Sequence, residues 1–297
     1  MVIGLFFLFG IVIGSFLNVC ISRIPEGLSI VAPASRCPRC KKPIKPYDNV
    51  PVVGWLWLGG KCRNCKLPIS PMYPLVELAT GLLFVACYWS FDLSLATAKW
   101  VVFSCLIVVL AITDLRVRIL PDVVNWPGAV AGLVFAWFVP LHDGTALWLA
   151  SKLGLLVPSE AFLSVLDSLL GAAVWSLLLW GIAALFRIAT GREGMGFGDV
   201  KMMVMVGTFL GVRGAFLTIL LGTTLGSILG VALIVVLYLG GWNRKVAVRG
   251  NRMGLGKTNT LRWAIAKRYQ LPLGTFLGIG ALAVVFFGPA IWRYWPV

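Results

Sequence analysis

Charge is what this sequence lacks. Only 12% of its 297 residues are Asp, Glu, Lys or Arg, where a soluble domain carries roughly 25%. Acids are the scarcest, 11 against 26 Lys and Arg, and His142 is the single histidine. So little charge excludes an ordinary soluble domain. So little histidine excludes a Ser-His-Asp triad and a histidine-ligated zinc hydrolase, because His142 falls on the far side of the topology derived below. No small-residue cleavage site follows the first apolar run, Met1–Ile21, so that run is expected to remain as a helix. A phosphate loop is missing too. Gly254-Leu255-Gly256-Lys257-Thr258 comes nearest, but Asn251 stands where G-x-x-x-x-G-K-T needs glycine, and no strand precedes it. No glycine-rich dinucleotide fingerprint occurs, so no motif places a nucleotide-bearing cofactor.

Apolar sequence is what the chain has. Hydrophobic residues make up 59%, and mean hydropathy is +0.92. Runs long enough for membrane helices, about 20 residues each if untilted, fall near 2–22, 74–91, 95–113, 123–140, 163–188, 199–211, 213–240 and 272–293. The expected fold is an all-α polytopic membrane protein of about eight transmembrane helices. Three units are expected: a first helix over 1–22, a small domain over 23–71, and a seven-helix membrane domain over 72–297. All Lys and Arg except Lys99, Lys152, Arg213 and Arg293 lie in segments 23–71, 114–121, 187–201 and 241–270. Eight passes put those four segments on one side, which the positive-inside rule makes the cytoplasm. Topology thus accounts for the net charge of +15, and nucleic acid is not needed as a partner. Segment 241–270 is expected to face anionic lipid headgroups. Segment 141–162, with Trp148 and Lys152, is either a helix on the membrane surface or an apolar linker.

Segment 23–71 contains Cys37-Pro38-Arg39-Cys40 and Cys62-Arg63-Asn64-Cys65. Each pair is followed by the same Cys-Lys-x-Pro-Ile pattern, Cys40–Ile44 and Cys65–Ile69. This internal repeat predicts two knuckles of a zinc ribbon, with Cys37, Cys40, Cys62 and Cys65 as ligands. The alternatives are two disulfides or a redox pair. A cytoplasmic loop disfavours disulfides, and neither pair follows a βαβ pattern. So small a segment has little core, so the metal would supply its folding energy. Cys20, Cys87 and Cys105 lie in apolar runs and read as small buried hydrophobes.

With so few acids, each can be weighed. Asp199 follows Gly196-Phe197-Gly198 at the start of one apolar run, and Asp114 ends another. The topology brings both to one depth on one side. A carboxylate there is costly and marks a functional site by default. Two facing carboxylates can share one proton, which is aspartic-protease chemistry. The helix dipole favours charge on Asp199, at a helix start, and disfavours it on Asp114, at a helix end. Asp114 is therefore expected to hold the shared proton. Gly196 and Gly198 are expected to let an extended peptide approach Asp199. Asp122, after Leu120-Pro121, is the next acid in line, although a first-turn acid is ordinary helix-start chemistry. Glu77 is expected to cap its helix or pair with Arg23, and Glu193 to contact substrate or stay solvated. Asp92, Asp143, Glu160 and Asp167 fall on the far side.

These motifs together resemble the type IV prepilin peptidases. The likeness is carried by Gly14-Ser15-Phe16-Leu17-Asn18-Val19 with Arg23-Ile24-Pro25, by the paired C-x-x-C motifs, and by Tyr73-Pro74-Leu75-Val76-Glu77-Leu78. Asp114-Leu115 with Leu120-Pro121-Asp122, and Gly191 through Lys201, complete it. The resemblance implies a G-x-G-D membrane aspartic peptidase of the bacterial inner membrane. Such an enzyme removes the basic leader of a prepilin or a type II secretion pseudopilin after a glycine. Many members also N-methylate the new N-terminal residue with S-adenosylmethionine, so a multifunctional hydrolase and methyltransferase is expected; a peptidase without methylation is the alternative. A proton-coupled transporter, from another class, would leave the cysteine pairs and the shared depth of the acids unexplained.

Overall fold

Each apolar run becomes a helix, because within an apolar solvent only a helix or a closed barrel satisfies every backbone N–H and C=O. The computed structural model describes residues 1–141, 143–154, 159–192, 194–239 and 271–294. His142, Glu193 and the basic segment 241–270 lie outside the described residues, and the readings made of them stay expectations. In chain order, α1 is Val2–Arg23, α2 the short Val53–Trp57, α3 Met72–Phe91, α4 Leu95–Val117 and α5 Asp122–Phe138. Then come α6 Thr145–Leu153, α7 Glu160–Thr190, α8 Phe197–Leu239 and α9 Leu273–Tyr294. Among the described residues there is no strand, only two isolated bridges, Arg36 with Pro43 and Lys61 with Pro68. Helices α1, α3, α4, α7 and α8 are long and apolar enough to cross a membrane; α5 and α9 are apolar but shorter. Large side chains such as Leu5, Phe9, Leu82, Trp89, Val130 and Leu177 point outward, as they would towards lipid.

Helix α8 is broken at Gly211, whose φ of 72° and ψ of −169° leave the helical region. Such a φ favours glycine. The chain doubles back there. Before the break, Gly207 lies against Gly171 of α7; after it, Gly222 lies against Leu277 of α9 and Gly230 against Leu271. The sequence places this turn at Arg213-Gly214. It sits earlier because Asp143 reaches across and accepts the backbone N–H groups of Val212 at 3.3 Å and Arg213 at 2.9 Å. Those N–H groups open the returning half and need a capping acceptor. Asp143 also accepts the Thr145 hydroxyl at 2.6 Å, and Asp167 accepts the Ala146 N–H at 2.6 Å. The far-side acids therefore tie α6, α7 and α8 together. Segment 145–153 is a helix that buries Ala146 and Ala150 and exposes Leu147 and Trp148.

The core lies where α4 and the first half of α8 meet. Phe103, Ile107 and Leu110 of α4 and Met202, Met203, Met205, Val206 and Phe209 of α8 are essentially inaccessible. The Phe103 and Phe209 rings stand 4.8 Å apart. Helix α4 packs against α1, α3, α5 and α9, and α8 against α5, α7 and α9. Helix α4 and the first half of α8, which carry the paired acids, are thus well enclosed. Where α7 crosses α8, the backbones approach directly: a Cβ on Gly171 would stand 2.7 Å from the Gly207 carbonyl oxygen. Small residues at such crossings let membrane helices associate closely. Gly171→Leu should therefore lower thermal stability in detergent, by about 1–3 kcal/mol as for core overpacking. Gly181→Leu, on the same helix with nothing within 4 Å of its Cβ position, should leave it unchanged.

Candidate active site

Asp114 sits one turn before the end of α4 and is 6% exposed; Asp199 lies in the first turn of α8 and is 8% exposed. Their carboxylates are close enough to interact electrostatically. Leu120, in the link between α4 and α5, touches both surroundings. Its side chain lies 3.0 Å from a Cβ position on Gly198 and 2.9 Å from one on Gly274, whose own Cβ would be 3.1 Å from Asp114 Oδ2. Helices α4, α8 and α9 and the 118–121 link thus converge on one place, and the two acids of the sequence reading meet there.

Sequence reasoning did not single out α9 as a contributor. The Thr275 backbone N–H donates to Asp114 Oδ2 at 2.8 Å, and its hydroxyl lies 3.3 Å from the same oxygen and 2.8 Å from the Ala111 carbonyl. Thr275 is in the first turn of α9, so Asp114 faces the positive end of that helix dipole as well as the negative end of its own. The dipole argument for a proton on Asp114 loses its premise. The available signal was Pro272-Leu273-Gly274-Thr275, a helix-start pattern at the right depth.

The two glycines divide their work. Gly198 faces buried Leu120, so it serves packing. A Cβ on Gly196 would meet nothing closer than Asp199 Oδ2 at 3.5 Å, so this side of the acid is open. Asp122 does not join the pair. Its carboxylate is about half exposed and holds Lys201 Nζ at 2.7 Å. Lys201 also lies over the Phe197 ring, 5.2 Å from its centroid, so the ion pair clamps the start of α8 to the start of α5.

A second cluster stands between α1 and α3. The four Sγ atoms of Cys37, Cys40, Cys62 and Cys65 lie within 4.8 Å of one another, and Cys37 and Cys65 are 3.9 Å apart. Zinc–sulfur bonds of about 2.3 Å in a tetrahedron place sulfurs about 3.8 Å apart, so the cluster fits that ion. The repeat seen in the sequence is a repeat in structure. Lys41 N–H donates to the Cys37 carbonyl and Lys66 N–H to the Cys62 carbonyl, both at 2.9 Å. Cys37 N–H returns to Lys42 at 3.0 Å and Cys62 N–H to Leu67 at 2.9 Å. Lys41 and Lys66 share a positive φ, 59° and 58°. Backbone N–H groups of Cys65 and Asn64 aimed at Cys62 hold its thiol down to about 6, while burial and the neighbouring sulfurs push Cys65 up to about 11, so one thiolate of the four is favoured before a metal binds. Arg63 bonds Asp48 through two nitrogens at 2.6 and 2.7 Å and holds that carboxyl below its usual range.

Comparison with known proteins gives the same two regions. Residues 8–91 match the bacterial Peptidase A24 N-terminal domain, and residues 100–231 match the type IV leader peptidase family. A prepilin leader peptidase/N-methyltransferase of Aeromonas hydrophila is 34% identical over 78% of this chain and 81% of its own. One of Pseudomonas aeruginosa is 36% identical over 76% and 79%, and one of Pseudomonas putida 29% identical over 95% and 90%. No solved structure shows a significant match.

Proposed function

Since the chain belongs to the type IV leader peptidase family, we propose that Asp114 and Asp199 are its catalytic pair. The enzyme cleaves leader peptides from prepilins and N-methylates the processed product. The observation that carries the assignment of the pair is convergence: two buried carboxylates from distant segments interact at the junction of α4, α8 and α9.

Hydrolysis is direct. The donors that Thr275 aims at Asp114 favour its ionised form, so Asp114 is the base that takes a proton from water. Asp199 holds the shared proton, hydrogen-bonds the scissile carbonyl and then protonates the leaving amine. Gly196 leaves room beside Asp199 for an extended backbone, because without a side chain the strand can come within hydrogen-bond reach. The apolar part of the substrate lies among the helices, and its basic leader stays on the side of the Lys- and Arg-rich segments. That side is the cytoplasm by the positive-inside rule. Pseudopilins, with the same leader chemistry, are substrates of the same kind.

Zinc held by Cys37, Cys40, Cys62 and Cys65 is structural: four thiolates leave no open position for chemistry. S-adenosylmethionine, when bound, would supply the methyl group that the new N-terminal amine takes up with loss of one proton. The test is intact-mass spectrometry of a prepilin incubated with the purified enzyme. Loss of the leader alone is expected without S-adenosylmethionine, and loss of the leader plus gain of one methyl with it. An unchanged prepilin in both arms would refute the function.

A further inference from the structure

We infer that α2 is a membrane anchor: Val53, Leu56 and Trp57 insert into the bilayer interface beside α1 and α3, and the Lys and Arg side chains of the four-cysteine unit rest on anionic lipid headgroups. The inference concerns where this unit sits, so it does not depend on which reactions the enzyme catalyses.

Helix α2 is five residues long, and its two faces differ. Gly54 is buried, and a Cβ there would collide with the Asp48 carbonyl. Trp55 lies on the same side, and its Nε1–H donates to the Ile69 carbonyl at 3.2 Å. Val53, Leu56 and Trp57 share the other side, at i, i+3 and i+4, and are 55%, 63% and 82% exposed. Three large apolar side chains grouped in this way mark a surface that something apolar covers.

Depth says what covers it. Val52, the residue before α2, donates its N–H to Glu77 Oε2 at 2.7 Å. Glu77 is five residues inside α3, about 7.5 Å along the helix. Val12 and Phe16 of α1 share the walls of one cavity with Val52 and Trp55, and they lie about two and three turns inside the end of α1. The chain therefore enters α2 alongside the apolar stretches of the spanning helices, not above their ends. Val52 is held there firmly. Its φ of 60° is left-handed, which a β-branched residue adopts only where its surroundings enforce it.

Charge points the same way. Residues 36–66 carry eight Lys and Arg, all exposed, and one acid, Asp48, which Arg63 already holds. Basic clusters next to a spanning helix are drawn to anionic headgroups, and Trp is enriched at the membrane–water boundary. The bilayer that holds α1 and α3 meets the apolar face and the charge together. A soluble partner would have to match that face while pressed against lipid.

The test uses full-length, zinc-loaded protein in vesicles of phosphatidylethanolamine and phosphatidylglycerol. The vesicles hold a trace of lipid with a photoreactive diazirine near the top of its acyl chain. After irradiation, peptide mapping should find label on residues 53–57 as well as on α1 and α3, which serve as the positive control. In phosphatidylcholine vesicles, without anionic lipid, label on 53–57 should fall about fivefold relative to α1, the scale of one Lys or Arg leaving an anionic surface. Leu56→Ser combined with Trp57→Ser should keep its zinc and lose label there by about tenfold or more, because two large apolar groups leave the interface. Label on α1 and α3 with none on 53–57 of the wild-type protein overturns the anchor. So does cross-linking of this face to a second copy of the chain. Equal labelling in both membranes overturns the role of the anionic headgroups, and loss of zinc from the double variant overturns the outward placement of the face.

Discussion

Asp114→Asn and Asp199→Asn proteins should each lose leader cleavage by about a thousandfold or more, because a positioned acid or base contributes 10²–10⁴ and each change removes both roles of the pair. Asparagine keeps the size of aspartate but cannot exchange the proton that the two steps pass between the carboxyls. The double variant should be no worse than either single one, since residues acting as a unit are not additive. Asp122→Asn should cost only a few-fold, because Asp122 positions Lys201 across the α5–α8 contact and exposed ion pairs contribute about 0–1 kcal/mol. Thr275→Val keeps the backbone N–H bond to Asp114 and removes the hydroxyl; its effect should fall between these. Initial rates of leader release in detergent check the whole series. Equal effects of Asp122→Asn and Asp199→Asn would move Asp122 into the pair.

Replacing Cys62 and Cys65 together by serine should release one zinc per chain and unfold segment 35–69 while the helix bundle persists. The reason is the size of the unit. Between α1 and α3 it has one five-residue helix, two 3-10 turns and two isolated bridges, and little apolar core beyond Cys37 and Cys62. Structural zinc contributes on the order of 10–16 kcal/mol in small peptides, far more than so small a core can replace. Metal analysis gives the stoichiometry, and limited proteolysis shows whether cleavage becomes confined to 35–69. Leader cleavage should survive, since the aspartate pair draws nothing from this unit. A protein without zinc whose segment 35–69 resists protease would contradict a structural role for the metal.

Much of this was legible in the sequence, for physical reasons. A bilayer demands long apolar runs, so the helices announce themselves, and the eight runs of the sequence reappear as helical segments once α8 is divided at Gly211. Metal ligation demands fixed local spacing, so the two knuckles show as a repeat. Charge is costly in lipid, so Asp114 and Asp199 stand out by scarcity. What the sequence hides is long-range complementarity. Thr275 lies 161 residues from Asp114, and nothing in its local pattern says which helix end it will face. Asp143 was set aside as a far-side acid; its partners are backbone N–H groups 69 and 70 residues away, which have no signature. Glu77 was expected to cap its helix or pair with Arg23, yet it accepts the backbone N–H of Val52, 25 residues away, instead. The turn at Gly211 was misplaced because two adjacent residues, Arg213 and Gly214, look more like punctuation than one glycine in an apolar run.

One measurement reaches the central claim, that an aspartate pair performs the cleavage and takes no part in methylation. Purified, zinc-containing Asp199→Asn protein is incubated with S-adenosylmethionine and either intact prepilin or pilin already freed of its leader, and both products are weighed by intact-mass spectrometry. The account predicts prepilin at its full mass and cleaved pilin heavier by one methyl group. Leader loss from the prepilin at a rate near that of the wild-type enzyme would contradict it.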